Sequence, residues 1–259
     1  MRVALTAALV VTLAAPAFAQ TGTPAARSER GGAAEWTEFV SKEDRFSTNF
    51  PGAPQITQST YKSQFGADLP ARVYSATAGQ SRYTLTVVDY RDIEKILTEK
   101  AKSCPPGAET CKGGFSSTGP GYSWADRAGA LIYASWQYIQ RDAKVTEYIW
   151  NNINQVTGHM IFLTNNADKS RTVAGLYMHD DRLYIAEGTV PAGYPNPEVF
   201  IESLNFIDGE GNTLRYDSHY VNGQIPPTYD GGKVRTEPGA GGARQQSQRG
   251  GRGGRGGQQ

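Results

Sequence analysis

The sequence predicts an α+β domain, a mainly antiparallel β-sheet flanked by helices. Three observations point there. Short runs alternate apolar and polar residues, the period of a half-buried strand, and turn residues separate them. Two longer segments carry apolar residues at helical spacing instead. The order is strands then helix, and then strands then helix again. That favours an antiparallel sheet with helices packed on it over alternating βαβ units.

Order begins at Trp36, with a short strand to Val40 and a polar turn over Ser41–Asp44. Arg45 to Phe50 is a second strand, stopped by Pro51-Gly52-Ala53-Pro54. Further strands are expected over 59–65, 72–77 and 82–90. The last has apolar residues at both parities, so both of its faces are expected to be buried. Ala78-Gly79-Gln80-Ser81 supplies the hairpin turn between the last two.

Asp92 is placed to cap a helix whose Ile93, Ile96, Leu97 and Ala101 share one face. Gly113 to Gly121 is Gly, Ser, Thr and Pro around one Phe, the composition of a surface insertion. Ser123-Trp-Ala-Asp126 resembles a capping box with Asp for Glu or Gln. Behind it Ala128, Leu131, Ile132, Ser135, Trp136 and Ile139 fall on one helical face. The same stretch also alternates as a strand (Leu131, Tyr133, Ser135), and helix is the preferred reading.

Strand patterns return over 145–150, 159–164, Arg171–His179 and Arg182–Val190. Asn165 to Lys169 and Asp180-Asp181 are the turns between them. Pro195-Asn-Pro197 opens a last helix with Val199, Phe200 and Leu204. Asp208 to Asn212 is a turn, and an extended piece follows over 214–221.

The two ends differ from this body. Residues 1–19 read as a secretory signal peptide. A charged start at Arg2 leads into an apolar run from Val3 to Ala15, and small residues at Ala17 and Ala19 form a cleavage site. The apolar run is shorter than the roughly 20 residues that span a bilayer. Residues 20–34 read as a flexible leader, 35–234 as a single domain, and 235–259 as a disordered Arg/Gly-rich tail. The expected address is the periplasm or the cell exterior, with no transmembrane segment after cleavage.

Net charge is +1 for the whole chain, and neutral without Arg2. The last 25 residues carry five arginines against Glu237, a charge of +4, and leave the body about −4. A basic tail on a mildly acidic body is the pattern of an interaction arm, not of a nucleic-acid-binding fold. Cys104 and Cys111 frame a Pro-Pro-Gly turn. In an oxidising compartment the simplest reading of that pair is a disulfide. Redox dithiols usually have two intervening residues, and here there are six.

Phe46-Ser-Thr-Asn-Phe50-Pro51-Gly52-Ala53-Pro54 resembles the F-x-x-x-F-P-G-x-P opening of the PsbP-like and DcrB-like superfamily. Arg182-Leu183-Tyr184-Ile185 after a turn resembles that group's late strand. Pro197 to Phe206, with Phe200, Ser203 and Phe206, resembles its closing helix. The element order matches over about 36–206. The resemblance implies a small α/β sandwich and an exported accessory or binding protein more often than an enzyme. It brings no catalytic set. The Cys104–Cys111 insertion, the 214–221 extension and the Arg-Gly tail depart from the pattern.

Candidate chemistry is sparse. His179-Asp180-Asp181 is a metal or general-base candidate, but it falls where a tight turn is expected. His159 is expected to be a half-exposed histidine at a strand start, and His219 lies in a polar extension. No nucleophile elbow, phosphate loop or zinc motif occurs, so no metal and no cofactor is expected. Aromatic residues crowd the stretch from Tyr122 to Trp150. Tyr133, Trp136, Tyr148 and Trp150 are the candidate binding surface. Arg244, Arg249, Arg252 and Arg255 are the candidate anion contacts of the tail.

The functional expectation is an exported, non-catalytic accessory or binding protein, with an envelope protein or ligand as partner. The alternatives are a polyanion or nucleic-acid binder acting through the Arg-Gly-Gly tail, and an envelope enzyme centred on His159 or the His179–Arg182 turn.

Overall fold

Residues 35–108, 122–216, 218–221, 228–230 and 233–235 are described by the computed structural model. Two β-meanders build the main sheet. The first runs β3 (Gln55–Lys62), β4 (Asp68–Ala78) and β5 (Ser81–Asp89). The second runs β6 (Ala143–Ile153), β7 (Val156–Asn165), β8 (Arg171–His179) and β9 (Arg182–Val190). They join where β5 pairs with β9. The strand order is β3-β4-β5-β9-β8-β7-β6, and every neighbouring pair is antiparallel. β3 and β6 are therefore the two edges.

Turn chemistry sets the registers of the second meander. Asn154-Gln155 (φ 51° and 69°) and Asp180-Asp181 (φ 48° and 54°) occupy two-residue hairpin turns with both φ positive. That is the backbone that matches the twist of the flanking strands, and Asn and Asp tolerate it better than most residues. The expected turn at Asp180-Asp181 is thus found.

The sheet separates two cores. On one face lie α1 (Ile93–Lys102) and α2 (Tyr122–Ile139), covering Val88, Ile161, Leu163, Leu176 and Leu183. On the other lies a small sheet of β1 (Trp36–Ser41), β2 (Phe46–Pro51) and β10 (Asn205–Phe206), in the order β1-β2-β10. It is joined by the short α3 (Glu198–Glu202) and by Leu214, Tyr216 and Tyr220. Phe46, Phe50, Phe200 and Phe206 are all fully buried there. Slipping β2 by one residue would turn Phe46 and Phe50 into water, at about 2 kcal/mol each, so the register is held by packing.

The segment from Tyr122 to Ile139 is helical, as preferred from its spacing. Its start differs from expectation. Asp126 does not close a capping box with Ser123. It is fully buried and reaches across to the β3–β4 turn, accepting hydrogen bonds from the Ser63 hydroxyl and from the Gln64 amide (3.2 Å) and Phe65 amide (3.4 Å). Lys100 of α1 grips the same turn by donating to the carbonyls of Phe65 (3.1 Å) and Gly66 (2.8 Å). β5 is packed on both sides, as its parity implied, with Tyr83, Leu85 and Val87 in one core and Val88 in the other.

α3 sits tightly on the sheet because two strand positions lack a side chain. A Cβ on Gly175 would stand 2.3 Å from Ile201 Cγ2, and one on Gly188 2.6 Å from Pro197 Cβ. The extension after Asn212 forms no strand over the described part of 214–221. It is tied to the β6–β7 turn through Tyr220, whose carbonyl accepts from the Thr157 amide and whose amide donates to the Gln155 carbonyl, both at 2.9 Å. β11 (Thr228–Asp230) and β12 (Lys233–Arg235) form a further hairpin that the sequence reading did not anticipate.

Candidate functional site

His159 is the hub of the aromatic region. It lies within β7, not at its start, and is 2% exposed where a half-exposed residue was expected. The difference has a plain cause: α2 lies over it on one side and the side chains of β6 close over the other. Its Nδ1 is 2.8 Å from the Ser135 hydroxyl of α2 and 2.8 Å from the Tyr148 hydroxyl of β6. Two aromatic rings stand edge-on to the imidazole, Trp150 at 4.7 Å and Tyr148 at 5.2 Å between centroids. Burial pushes the imidazole pKa below its ordinary value, which keeps the ring neutral near pH 7.

The Ser135–His159 contact is not built for nucleophilic attack. Ser135 is buried, and its hydroxyl also donates to the Leu131 carbonyl at 2.8 Å. With that proton committed, the serine oxygen is an acceptor for Nδ1–H in one tautomer. In the other tautomer Nδ1 accepts from Tyr148. Both arrangements fasten α2 and β6 to β7.

What this hub supports is exposed. Trp150 is 73% exposed, Trp136 54% and Tyr148 45%. Tyr148 pairs with Ile161 and Trp150 with His159 across the β6–β7 ladder, so both rings rise on the helix-covered face. Trp136 follows Ser135 on α2, and Ile132, one turn earlier, is exposed too. Tyr133 is placed elsewhere. Its ring packs edge-on to Tyr61 of β3, the opposite edge of the sheet, at 6.5 Å. Two of the four candidate aromatics, Tyr148 and Trp150, thus share His159, Trp136 is exposed on α2, and Tyr133 belongs to the β3 side.

His179 lies in the other core, with Nε2 2.5 Å from the Tyr216 hydroxyl and its ring stacked on Phe206 at 4.6 Å. Burial pushes its pKa down to about 4. Its neighbours Asp180 and Asp181 are turn residues, and Arg182 bonds Asp180 at 2.7 Å. The two buried histidines therefore sit on opposite faces of one sheet and share no site. His219 is exposed. Cys104 follows the end of α1, with its amide donating to the Ala101 carbonyl at 3.3 Å. Cys111 lies outside the described residues, as do Arg244, Arg249, Arg252 and Arg255.

Sequence reasoning missed a polar cleft of about 690 Å³ at the end of the sheet beyond α2. Arg82 of β5, Glu187 and Thr189 of β9, Thr172 of β8 and Asn165 of β7 line it, with Arg141, Asp142 and Asp168 from the adjoining connections. The Thr172 and Thr189 hydroxyls bond each other at 2.8 Å. The Asn165 amide holds Thr172 at 3.1 Å and Ser170 at 2.8 Å. Arg141 lies 3.8 Å over the Tyr138 ring and 2.9 Å from Glu187 Oε2, which also accepts from the Tyr138 hydroxyl at 2.6 Å. The one local signal in the sequence was polar residues (Arg82, Thr84; Glu187, Thr189) at alternate positions near the strand ends.

Among solved structures, the chain is similar to the solution structure of cyanobacterial PsbP (CyanoP) from Synechocystis sp. PCC 6803. Identity is 10%, the match covers 68% of this chain and 94% of that one, and the TM-score is 0.35. That neighbour falls in the group that the motif opening at Phe46 resembles. At this degree of superposition it carries no functional argument, and the fold class rests on the strand order and layers above. No protein-family model matches the chain, and no curated protein matches it.

Proposed function

We propose that the chain is an exported, non-catalytic accessory or binding protein whose folded body engages a partner protein through Trp136, Tyr148 and Trp150. The supporting observation is the seating of exposed Tyr148 and Trp150 on the buried, hydrogen-bonded His159. Large aromatic side chains dominate the energetics of protein interfaces. They contribute most when little side-chain freedom is lost on binding, and rings already propped on a fixed imidazole meet that condition. β6 adds an edge strand whose outer side pairs with no other strand among the described residues, a second means of engaging a partner. Both buried histidines have structural partners, which favours binding over catalysis. No helix among the described residues is long and apolar enough to cross a membrane. Export rests on the segment 1–19.

The test is cross-linked co-purification from the cell envelope with three forms: the full chain, a chain ending at Pro238, and a Trp136→Ala/Trp150→Ala double variant. The same partner with the first two and its loss with the third is the expected result. Recovery that needs the tail, fails at high salt and ignores the tryptophans would reject this reading and favour polyanion tethering through the Arg-Gly-Gly repeats.

A further inference from the structure

We propose that the polar cleft beyond α2 is a binding site for a small zwitterion of the free α-amino acid class.

The cleft carries both signs of charge in a fixed setting. The Arg82 side chain is exposed and makes no hydrogen bond or close ion pair with any described residue; the Asp168 carboxylate, across the cleft, feels its charge. Its fork of donors fits a carboxylate bidentately. Glu187 is held through Oε2 by Tyr138 and Arg141, which leaves Oε1 with no hydrogen bond among the described residues. Arg82 stands directly opposite Thr189 in the β5–β9 ladder, so Glu187, two residues away on the same face, is its diagonal neighbour. Diagonal neighbours are about 7–8 Å apart, within the span of one small molecule bonded at both ends.

Charge balance selects the ligand. The lining holds two guanidinium groups, Arg82 and Arg141, and three carboxylates, Asp142, Asp168 and Glu187. A simple anion would meet three carboxylates, and a simple cation two guanidiniums. A dipolar molecule places its carboxylate at Arg82 and its ammonium at Glu187, answering both. Beside those poles lies the Thr172–Thr189 hydroxyl pair, anchored by Asn165, which offers further donors and acceptors in place. The volume of about 690 Å³ lies within the range of small-molecule clefts and leaves room for a side chain.

The feature also differs from a polar rim that merely faces water. On the same face, Ile161, Ala174, Leu176 and Ile185, nearer the middle of the sheet, belong to the apolar core that α1 and α2 cover. Where the helix ends, polar residues from four neighbouring strands, β5, β9, β8 and β7, line one cleft, and the Thr172, Thr189, Ser170 and Asn165 side chains are already ordered by one another.

The test is a titration of the isotope-labelled full chain with the free α-amino acids one by one, read by amide chemical shifts. N-acetyl and carboxamide forms of whichever binds are titrated alongside. Shifts confined to Arg82, 165–172 and 187–190 are expected. Affinity should fall about tenfold or more when either end of the ligand is blocked, and likewise in Arg82→Ala. Glu187→Gln keeps an acceptor for Tyr138 and should weaken binding of the free ligand while leaving the fold unchanged. The proposal is overturned if no amino acid shifts these amides, if blocked forms bind as well as free ones, or if Arg82→Ala binds normally. Neither result bears on the tryptophan surface.

Discussion

The imidazole of His179 meets the hydroxyl of Tyr216 at 2.5 Å, and this contact joins the end of β8 to the stretch that follows β10. The ring is enclosed by Phe206, Tyr216 and Tyr220, with Asp180 and Arg182 the nearest charges. Burial lowers its pKa from 6.5 to about 4. The unfolded chain therefore binds a proton on this residue at pH values where the folded one does not.

Stability from His179 should be complete above about pH 6.5 and should decline as pH falls toward 4. The full effect is on the order of 3 kcal/mol. His159, also depressed by burial, acts in the same direction. Asp126, whose pKa burial raises, acts in the opposite one, since its protonated form suits the folded state better. Thermal midpoints across this range should therefore be compared between the natural chain and His179→Phe. A flatter profile in the variant is expected, and an unchanged slope would contradict the assignment.

Removing the Asp126 carboxylate should loosen the β3–β4 turn. Asp126→Ala leaves the Ser63 hydroxyl and the Gln64 and Phe65 amides without their acceptor, at a cost of about 3 kcal/mol. Asp126→Asn keeps one oxygen and should lose less. Urea midpoints give the stability change, and hydrogen exchange at Gln64 and Phe65 should accelerate selectively.

Gly175→Ala introduces a methyl group 2.3 Å from Ile201 Cγ2 and 3.0 Å from the Tyr177 ring. Either α3 or the strand must shift. Overpacking of this kind costs about 1–3 kcal/mol. Chemical denaturation should show the loss, while Gly→Ala at the open Gly79, where a Cβ meets nothing within 4 Å, tests backbone strain alone at φ +58°.

Trp150→Ala and Trp136→Ala remove side chains that are mostly in water. Each should change folding stability by less than about 1 kcal/mol. Tyr148→Phe keeps its ring against His159 and removes one of the two hydroxyls at Nδ1. Circular dichroism and melting curves close to those of the natural chain are expected for all three. A collapse of the fold in Trp150→Ala would mean that the ring is part of the core.

Local rules recovered much of the fold. The Asp180-Asp181 turn, the helix beginning at Ile93 and the β8–β9 hairpin follow from turn chemistry and periodicity within a few residues. Features governed by distant partners were not legible. The burial of His159 depends on Ser135 and Tyr148, and the role of Asp126 depends on Ser63, far earlier in the chain. The place of Tyr133 was set by Tyr61 of β3, more than seventy residues earlier, whereas Trp136 stays exposed. The cleft is assembled from strands and connections spread between Gln80 and Ala192, and no single segment announces it.

The β5–β9 seam has a consequence for how the molecule comes together. Each meander can form from neighbouring hairpins, but the pairing of Leu85 with Ala186 closes a loop of about a hundred residues. Such long closures are slow to form. Refolding should therefore wait on that encounter. Leu85→Ala is expected to slow refolding in stopped-flow traces, whereas a substitution at the exposed β6 edge should leave that rate unaltered. Until the seam closes, the chain is two half-sheets, each with a bare strand edge that other chains can reach.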